Sequence, residues 1–420
     1  MSDSALLTDL YQLTMLQAYF EAGLRETAVF ELFVRRLPPH RNFLVAAGLE
    51  EALDYLENFH FSDDEIAWLR TQERFQSRFV DSLAEMRFTG DVMALPEGTI
   101  FFADEPIIRI TAPLPEAQIV ESRLMNLLQY PTLVASKAAR SVLAAEGRLL
   151  VEFGMRRAHG AEAAMMAARA AYLAGFAGTS NVAAGALWNI PLFGTMAHSF
   201  IQTHDDEATA FEQFARANPR DVVLLIDTYN TEAAARKVAQ LAPKLRAEGI
   251  TLKGVRIDSG DLAEHARKVR RILDDANLQD VTIFASGNLD ELGVAALRSA
   301  PIDGFGVGTL LDVVADGPYL ECAYKLQEYA AKPKRKRSEG KATWPGRKQV
   351  FRQFDADGRM AGDCVAIETD RPPGEALLET VMKNGRRLQP SPSLADCRAT
   401  TMVNLARLPD GLRSIDRDER

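Results

Sequence analysis

The feature that most narrows the fold of this 420-residue chain is an alternation, from about Pro131 onward, of short apolar runs with long Ala-rich helical stretches. RLLVEF, PLFGT, VVLLID, LKGVRID, VTIFAS and IDGFGVG read as strands, each followed by a helix or turn signal, which is the pattern of a parallel sheet with crossovers. An open doubly wound sheet and a closed barrel both satisfy this pattern. Repeated units that end in polar residues favour the barrel, so the expected class is α/β, with an irregular (β/α) barrel over residues 131–335.

Residues 1–130 read differently. Apolar positions recur at helical spacing from Leu7 to Phe20 and again from Glu50 to Met86, with breaks near Phe61 and Thr71. Between them AVFELFV alternates like a strand, and Gly90 to Thr111 reads as strands separated by Pro-Glu-Gly and Asp-Glu-Pro turns. These segments predict a smaller α+β domain. After Tyr329 the basic stretch around residues 332–348 reads as an exposed loop leaving the barrel. VFRQFDADGRMAGDCVAI reads as a hairpin turning at Asp357-Gly358, and the tail from about 340 to 420 is expected to complete the N-terminal domain.

A formal charge of −9 offers no bulk attraction to nucleic acid or anionic membrane, so an anionic substrate must be met by a local cluster of basic groups. Cys322, Cys364 and Cys397 are scattered and lack metal-ligand spacing, which suits reduced thiols in a cytoplasmic protein. No disulfide and no structural zinc is expected. The N-terminal stretch has no basic leader and is interrupted by Asp3, Asp9 and Gln12, so it does not read as a signal peptide. No apolar run approaches the roughly eighteen residues a membrane span requires.

In parallel α/β folds the reacting groups gather at the carboxyl ends of strands. Asp227 ends VVLLID, and Asp258 ends GVRID one βα unit later. A single such carboxylate reads equally as a helix N-cap, but two in register after apolar runs point to a bound partner. Gly304, Gly306 and Gly308 alternate through a strand-to-loop junction that leads into an apolar helix, where backbone N–H groups can approach a phosphate. The SGN of Ser286 to Asn288 could add a second wall to that cup. Phe153 stands at a strand end with Arg156 and Arg157 just beyond, a grouping that suits a flat ring bearing a carboxylate; an ordinary core Phe with surface arginines is the bland alternative. His198, flanked by Thr195 and Ser199, is a candidate for proton transfer or phosphoryl acceptance.

Taken in order, TDLYQLTM, EFGMRRAHGA, GTSNVAAG, GTMAHSF, LLIDTYNT, RIDSGDL, DGFGVGT and EGKATWPGRKQVFR resemble nicotinate phosphoribosyltransferases over nearly the whole chain. The resemblance implies the irregular barrel of the type II phosphoribosyltransferases. It implies nicotinate and phosphoribosyl pyrophosphate as substrates in NAD salvage, Mg²⁺ as the ion, and ATP hydrolysis coupled through a phosphorylated histidine. By motif that histidine is His198, with Gly194, Thr195 and Ser199 lining the phosphate site. Phe153 would stack on the pyridine, and Tyr11 would close its other face from the neighbouring subunit of a homodimer. Arg156 and Arg157 would bind carboxylate or phosphate, while Arg256 and Asp258 would hold pyrophosphate and ribose. Asp227 would lie beside the pyridine, and Gly308 with Thr309 would cradle the 5′-phosphate. The metal ligands are left open. The rival readings are an enzyme of the same type using nicotinamide or quinolinate, and a sugar-phosphate barrel lyase, for which neither a Schiff-base lysine nor a metal cluster stands at a strand end.

Overall fold

The computed structural model describes residues 4–415, which divide into two compact units. One runs to Ser136 and resumes at Asp316; the other is Lys137–Ala315.

The split unit is organised by a seven-stranded sheet in which N-terminal and C-terminal segments pair. Its order is Lys332–Pro333, Cys322–Tyr329, Thr27–Val34, Pro106–Pro113, Asp91–Ala94, Glu379–Lys383 and Arg386–Arg387, joined by antiparallel pairs. Cys322–Tyr329 therefore belongs to this sheet, and the boundary falls after Ala315 and not at 335. Its ladder with Thr27–Val34 is the physical reason. Thr27–Val34 does not alternate in burial as AVFELFV suggests: Ala28 through Val34 are all buried, so the strand is covered on both faces. The expected hairpin is present as Lys348–Phe354 against Met360–Ile367, with Gly358 in the turn at positive φ.

The other unit holds a six-stranded parallel sheet in the order Gly178–Thr179, Leu149–Glu152, Gly304–Val307, Thr282–Ala285, Leu252–Ile257, Val222–Leu225. The class is α/β as the sequence predicts, and the sheet is a half-barrel. PLFGT is not one of its strands. Pro191 and Phe193 bracket Thr179 with two backbone hydrogen bonds, Leu192 makes an isolated bridge, and the chain then leaves the edge. Pro191 has no N–H to extend the ladder. Pro131 lies inside the helix Glu121–Ala145, so the change of pattern read there falls within a helix. Among the described residues no helix is long and apolar enough to cross a membrane.

Candidate active site

The helices that follow two site strands are capped by other residues than Asp227 and Asp258. Asn230 accepts from Ala233 N–H, and Asp261 accepts from Glu264 N–H. Both strand-end aspartates are thereby left for another use. Asp227 Oδ2 accepts from the Asp258 N–H at 3.0 Å and the Ser259 hydroxyl at 2.5 Å. Its Oδ1 is buried and has no hydrogen-bond partner among the described residues.

Arg256 organises the centre. Its Nε donates to Ser286 Oγ at 2.9 Å, Nη1 to Thr195 Oγ1 at 2.9 Å and Nη2 to Asp258 Oδ1 at 3.1 Å. Ser286 in turn donates to Asp258. Two strand ends and the Thr195 segment are locked together in this way, and the guanidinium lies 5.7 Å from the centroid of the Phe153 ring, within cation–π range. Phe153 also meets Phe284 at 5.8 Å with a 52° tilt. Gly306 is needed for this packing, because a Cβ there would stand 2.5 Å from Phe153 Cδ2.

A cavity of about 430 Å³ opens above these groups, and its lining includes Phe153, Arg156, Arg157, Arg256, Asp258 and Thr309. Ser259, Ser286, Asn288 and Gly308 complete much of the polar wall. Arg156 and Arg157 are exposed, and neither guanidinium has a carboxylate or hydrogen-bond partner among the described residues. The sequence-predicted aromatic ring, arginine pair, strand-end Asp and Gly-rich loop thus share one cavity. The apolar helix expected after the glycines is a single turn, Thr309–Asp312, so any anion grip there rests on the Gly308 and Thr309 backbone and side chains more than on a helix dipole.

His198, Gly194, Ser199 and Asp227 do not line the cavity itself. His198 opens the short helix His198–Gln202 and its Nδ1 is 3.1 Å from Thr228 Oγ1, beside Asp227 in sequence. Thr195 connects that segment to Arg256, while Gly194 and Ser199 are exposed. Tyr11 belongs to the split unit, on helix Leu10–Ala22, and is 46% exposed. Strand-end position does not by itself single out Thr228, although a hydroxyl directly after a strand-end Asp is a readable signal. Among the described residues no group of three or more His, Cys, Asp or Glu side chains could hold a metal ion.

A parallel α/β half-barrel that gathers free guanidiniums, aspartates, an aromatic ring and a Gly-rich loop at its carboxyl edge defines an enzyme of anionic substrates. Sequence profiles of the nicotinate phosphoribosyltransferase (NAPRTase) N-terminal domain and of the NAPRTase family match residues 6–129 and 149–350. The chain is 48% identical to the nicotinate phosphoribosyltransferase pncB2 of Mycobacterium tuberculosis, over 98% of this chain and 89% of that protein. It is 41% identical to the Bacillus subtilis nicotinate phosphoribosyltransferase, over 86% and 76%. The crystal structure of human nicotinic acid phosphoribosyltransferase superposes with a TM-score of 0.86 at 30% identity, covering 97% of this chain and 95% of that one. The chain belongs to the nicotinate phosphoribosyltransferase family.

Proposed function

We propose that this chain joins the ring nitrogen of nicotinate to C1 of phosphoribosyl pyrophosphate, releasing pyrophosphate, in NAD salvage. The observation that carries the reading is the single cavity shared by Phe153, Arg156, Arg157, Arg256, Asp258, Gly308 and Thr309. A planar ring stacks on Phe153, and the unpaired Arg156 and Arg157 take the carboxylate. Nicotinamide would leave those guanidiniums without an anion, and quinolinate would ask for further cations.

Displacement at the anomeric carbon raises positive charge on the ribose ring and negative charge on the leaving pyrophosphate. Arg256, pre-set by three hydrogen bonds, faces the leaving group, and Asp258 orients the ribose hydroxyls. No general base is needed, because the pyridine nitrogen already carries a free lone pair. Mg²⁺ would be held by Asp227, which lies outside the cavity lining but is bonded to Asp258 N–H and has a buried oxygen with no partner among the described residues; Mg²⁺ is commonly held by one or two carboxylates together with substrate phosphates. When bound it supplies charge neutralisation to the pyrophosphate. ATP phosphorylates His198, near Thr195 and Thr228, and the phosphoenzyme tightens the hold on phosphoribosyl pyrophosphate until hydrolysis releases the products. This ATP coupling makes the enzyme a C–N bond-forming ligase. The enzyme acts in the cytoplasm as a homodimer, in which Tyr11 of the neighbouring subunit closes the pyridine face.

Purified protein given nicotinate, phosphoribosyl pyrophosphate and Mg²⁺ is expected to form the mononucleotide, and to form more of it with ATP. Absence of product with ATP present would sink the reading. Retention of full ATP stimulation by His198→Asn would remove the phosphohistidine from it.

A further inference from the structure

Glu152 is an anomaly in its strand. Leu149–Glu152 is an interior strand of the parallel sheet, paired on both sides, a setting that selects apolar side chains, yet Glu152 is fully buried there. Burying a carboxylate is costly unless donors converge on it. Here they do: Glu152 Oε1 accepts from the Gly154 N–H and Oε2 from the Thr179 hydroxyl. Burial still raises its carboxyl above the ordinary value, and the Thr179, Gly154 and Met155 bonds counter that rise.

The consequence lies in what Gly154 carries. Its carbonyl accepts from the N–H groups of Arg157 at 2.7 Å and Ala158 at 3.1 Å, closing the turn that holds Arg156 and Arg157 beside the cavity. Phe153 sits between the carboxylate and this turn, anchored by its own N–H to Val307 O at 2.8 Å. Gly154 is also pressed against Asp312: a Cβ at this position would lie 2.2 Å from Asp312 Cγ, so no other residue can take the place without a shift. A side chain that only filled the core would need none of these bonds.

We propose that Glu152 is a positioning residue for the pyridine acid, its buried carboxylate fixing the Gly154 turn that sets Phe153, Arg156 and Arg157 against the substrate ring and its anion. This rests on the placement of nicotinate given above. The predicted signature is selective, because Arg156 and Arg157 hang from this turn, whereas the Arg256 guanidinium that meets phosphoribosyl pyrophosphate is held by Ser286, Thr195 and Asp258.

The test compares steady-state constants for wild type, Glu152→Leu and Glu152→Gln, with both substrates varied. Leucine leaves the Gly154 N–H and Thr179 hydroxyl unanswered, and KM for nicotinate is expected to rise about tenfold or more, with KM for phosphoribosyl pyrophosphate within about twofold. Glutamine keeps an oxygen for Gly154, and its amide can donate to the second lone pair of Thr179 Oγ1, which already accepts from the Asn181 N–H at 2.9 Å, so it is expected to restore KM to within about threefold. A folded leucine variant with unchanged KM for nicotinate, or with both KM values rising together, overturns the proposal. Should Leu not fold, Thr179→Val removes one anchor of the carboxylate and is expected to raise KM for nicotinate alone by about threefold; equal KM values overturn the proposal just as well. Failure of the wild type to use nicotinate is a separate result, and it removes the functional reading instead.

Discussion

In the antiparallel unit Arg352 is 2% exposed and gives Nε and Nη2 to Asp363 at 2.9 and 2.6 Å, with Ile100 O as a further acceptor. Lys348 Nζ likewise meets the buried Glu31 at 2.6 Å and two backbone carbonyls. In the parallel unit Arg156 and Arg157 reach an open cavity, and neither they nor one oxygen of Asp227 has a partner among the described residues. The antiparallel unit buries charge where an apolar side chain would be cheaper, and the parallel unit presents charge at the mouth of a cavity. The antiparallel unit pairs these charges internally, across strands; the parallel unit pairs some, as Lys137 and Arg140 with the buried Glu291, but on the reading proposed above it keeps those at the cavity for a substrate. The contrast separates structural from functional ions without reference to residue type.

The contrast is broken first at Arg256. Arg256→Ala is expected to lower kcat/KM by about a thousandfold, since a preorganised donor to a developing anion contributes on the order of 100- to 1,000-fold and its loss also frees Asp258 and Thr195. Retention of more than a tenth of the activity would show that Arg256 is structural. In the antiparallel unit Asp363→Ala should do the reverse. Stranding the buried Arg352 guanidinium costs about 3–5 kcal/mol, read by urea unfolding, while kcat/KM of the folded fraction stays unchanged. Arg156→Ala comes next, with KM for nicotinate up by roughly tenfold and stability within about 0.5 kcal/mol, because the side chain has no partner to lose.

The smallest effect concerns Asp312. Burial, and after it the Glu152 carboxylate, push its carboxyl up to about 9 from an ordinary 3.8. Burial raises the Glu152 carboxyl as well, against three donors that pull it down, so the pair shares a proton that those donors steer toward Asp312. The native state then holds a proton that the unfolded chain releases above about pH 4. Its contribution to stability is present at low pH and declines as pH rises toward 9. Asp312→Asn should flatten that slope in urea midpoints taken from pH 6 to 9, and an identical slope in both proteins would refute the assignment.

Much of this was legible in the chain. Strand-end position alone brought Phe153, Arg156, Arg157, Asp258 and Gly308 to one cavity, because parallel strands deliver their carboxyl ends to the same edge. The residues that sequence could not place act through long-range pairing. Cys322–Tyr329 reads like any apolar run, and only its ladder with Thr27–Val34 assigns it to the antiparallel unit. PLFGT has strand composition, yet Pro191 limits it to a bridge. Glu152 was visible as an acid inside an apolar strand, but its partners Gly154, Thr179 and Asp312 are set by the fold. The roles of Asp227 and Asp258 became separable from helix capping only when Asn230 and Asp261 were seen to hold the caps.

The most direct test of the account is the ratio of kcat/KM for nicotinate, nicotinamide and quinolinate measured on one preparation with ATP and Mg²⁺. A cavity that leaves two guanidiniums for one carboxylate predicts nicotinate ahead of both by at least about 100-fold. Nicotinamide used as well as nicotinate, or better, would contradict it.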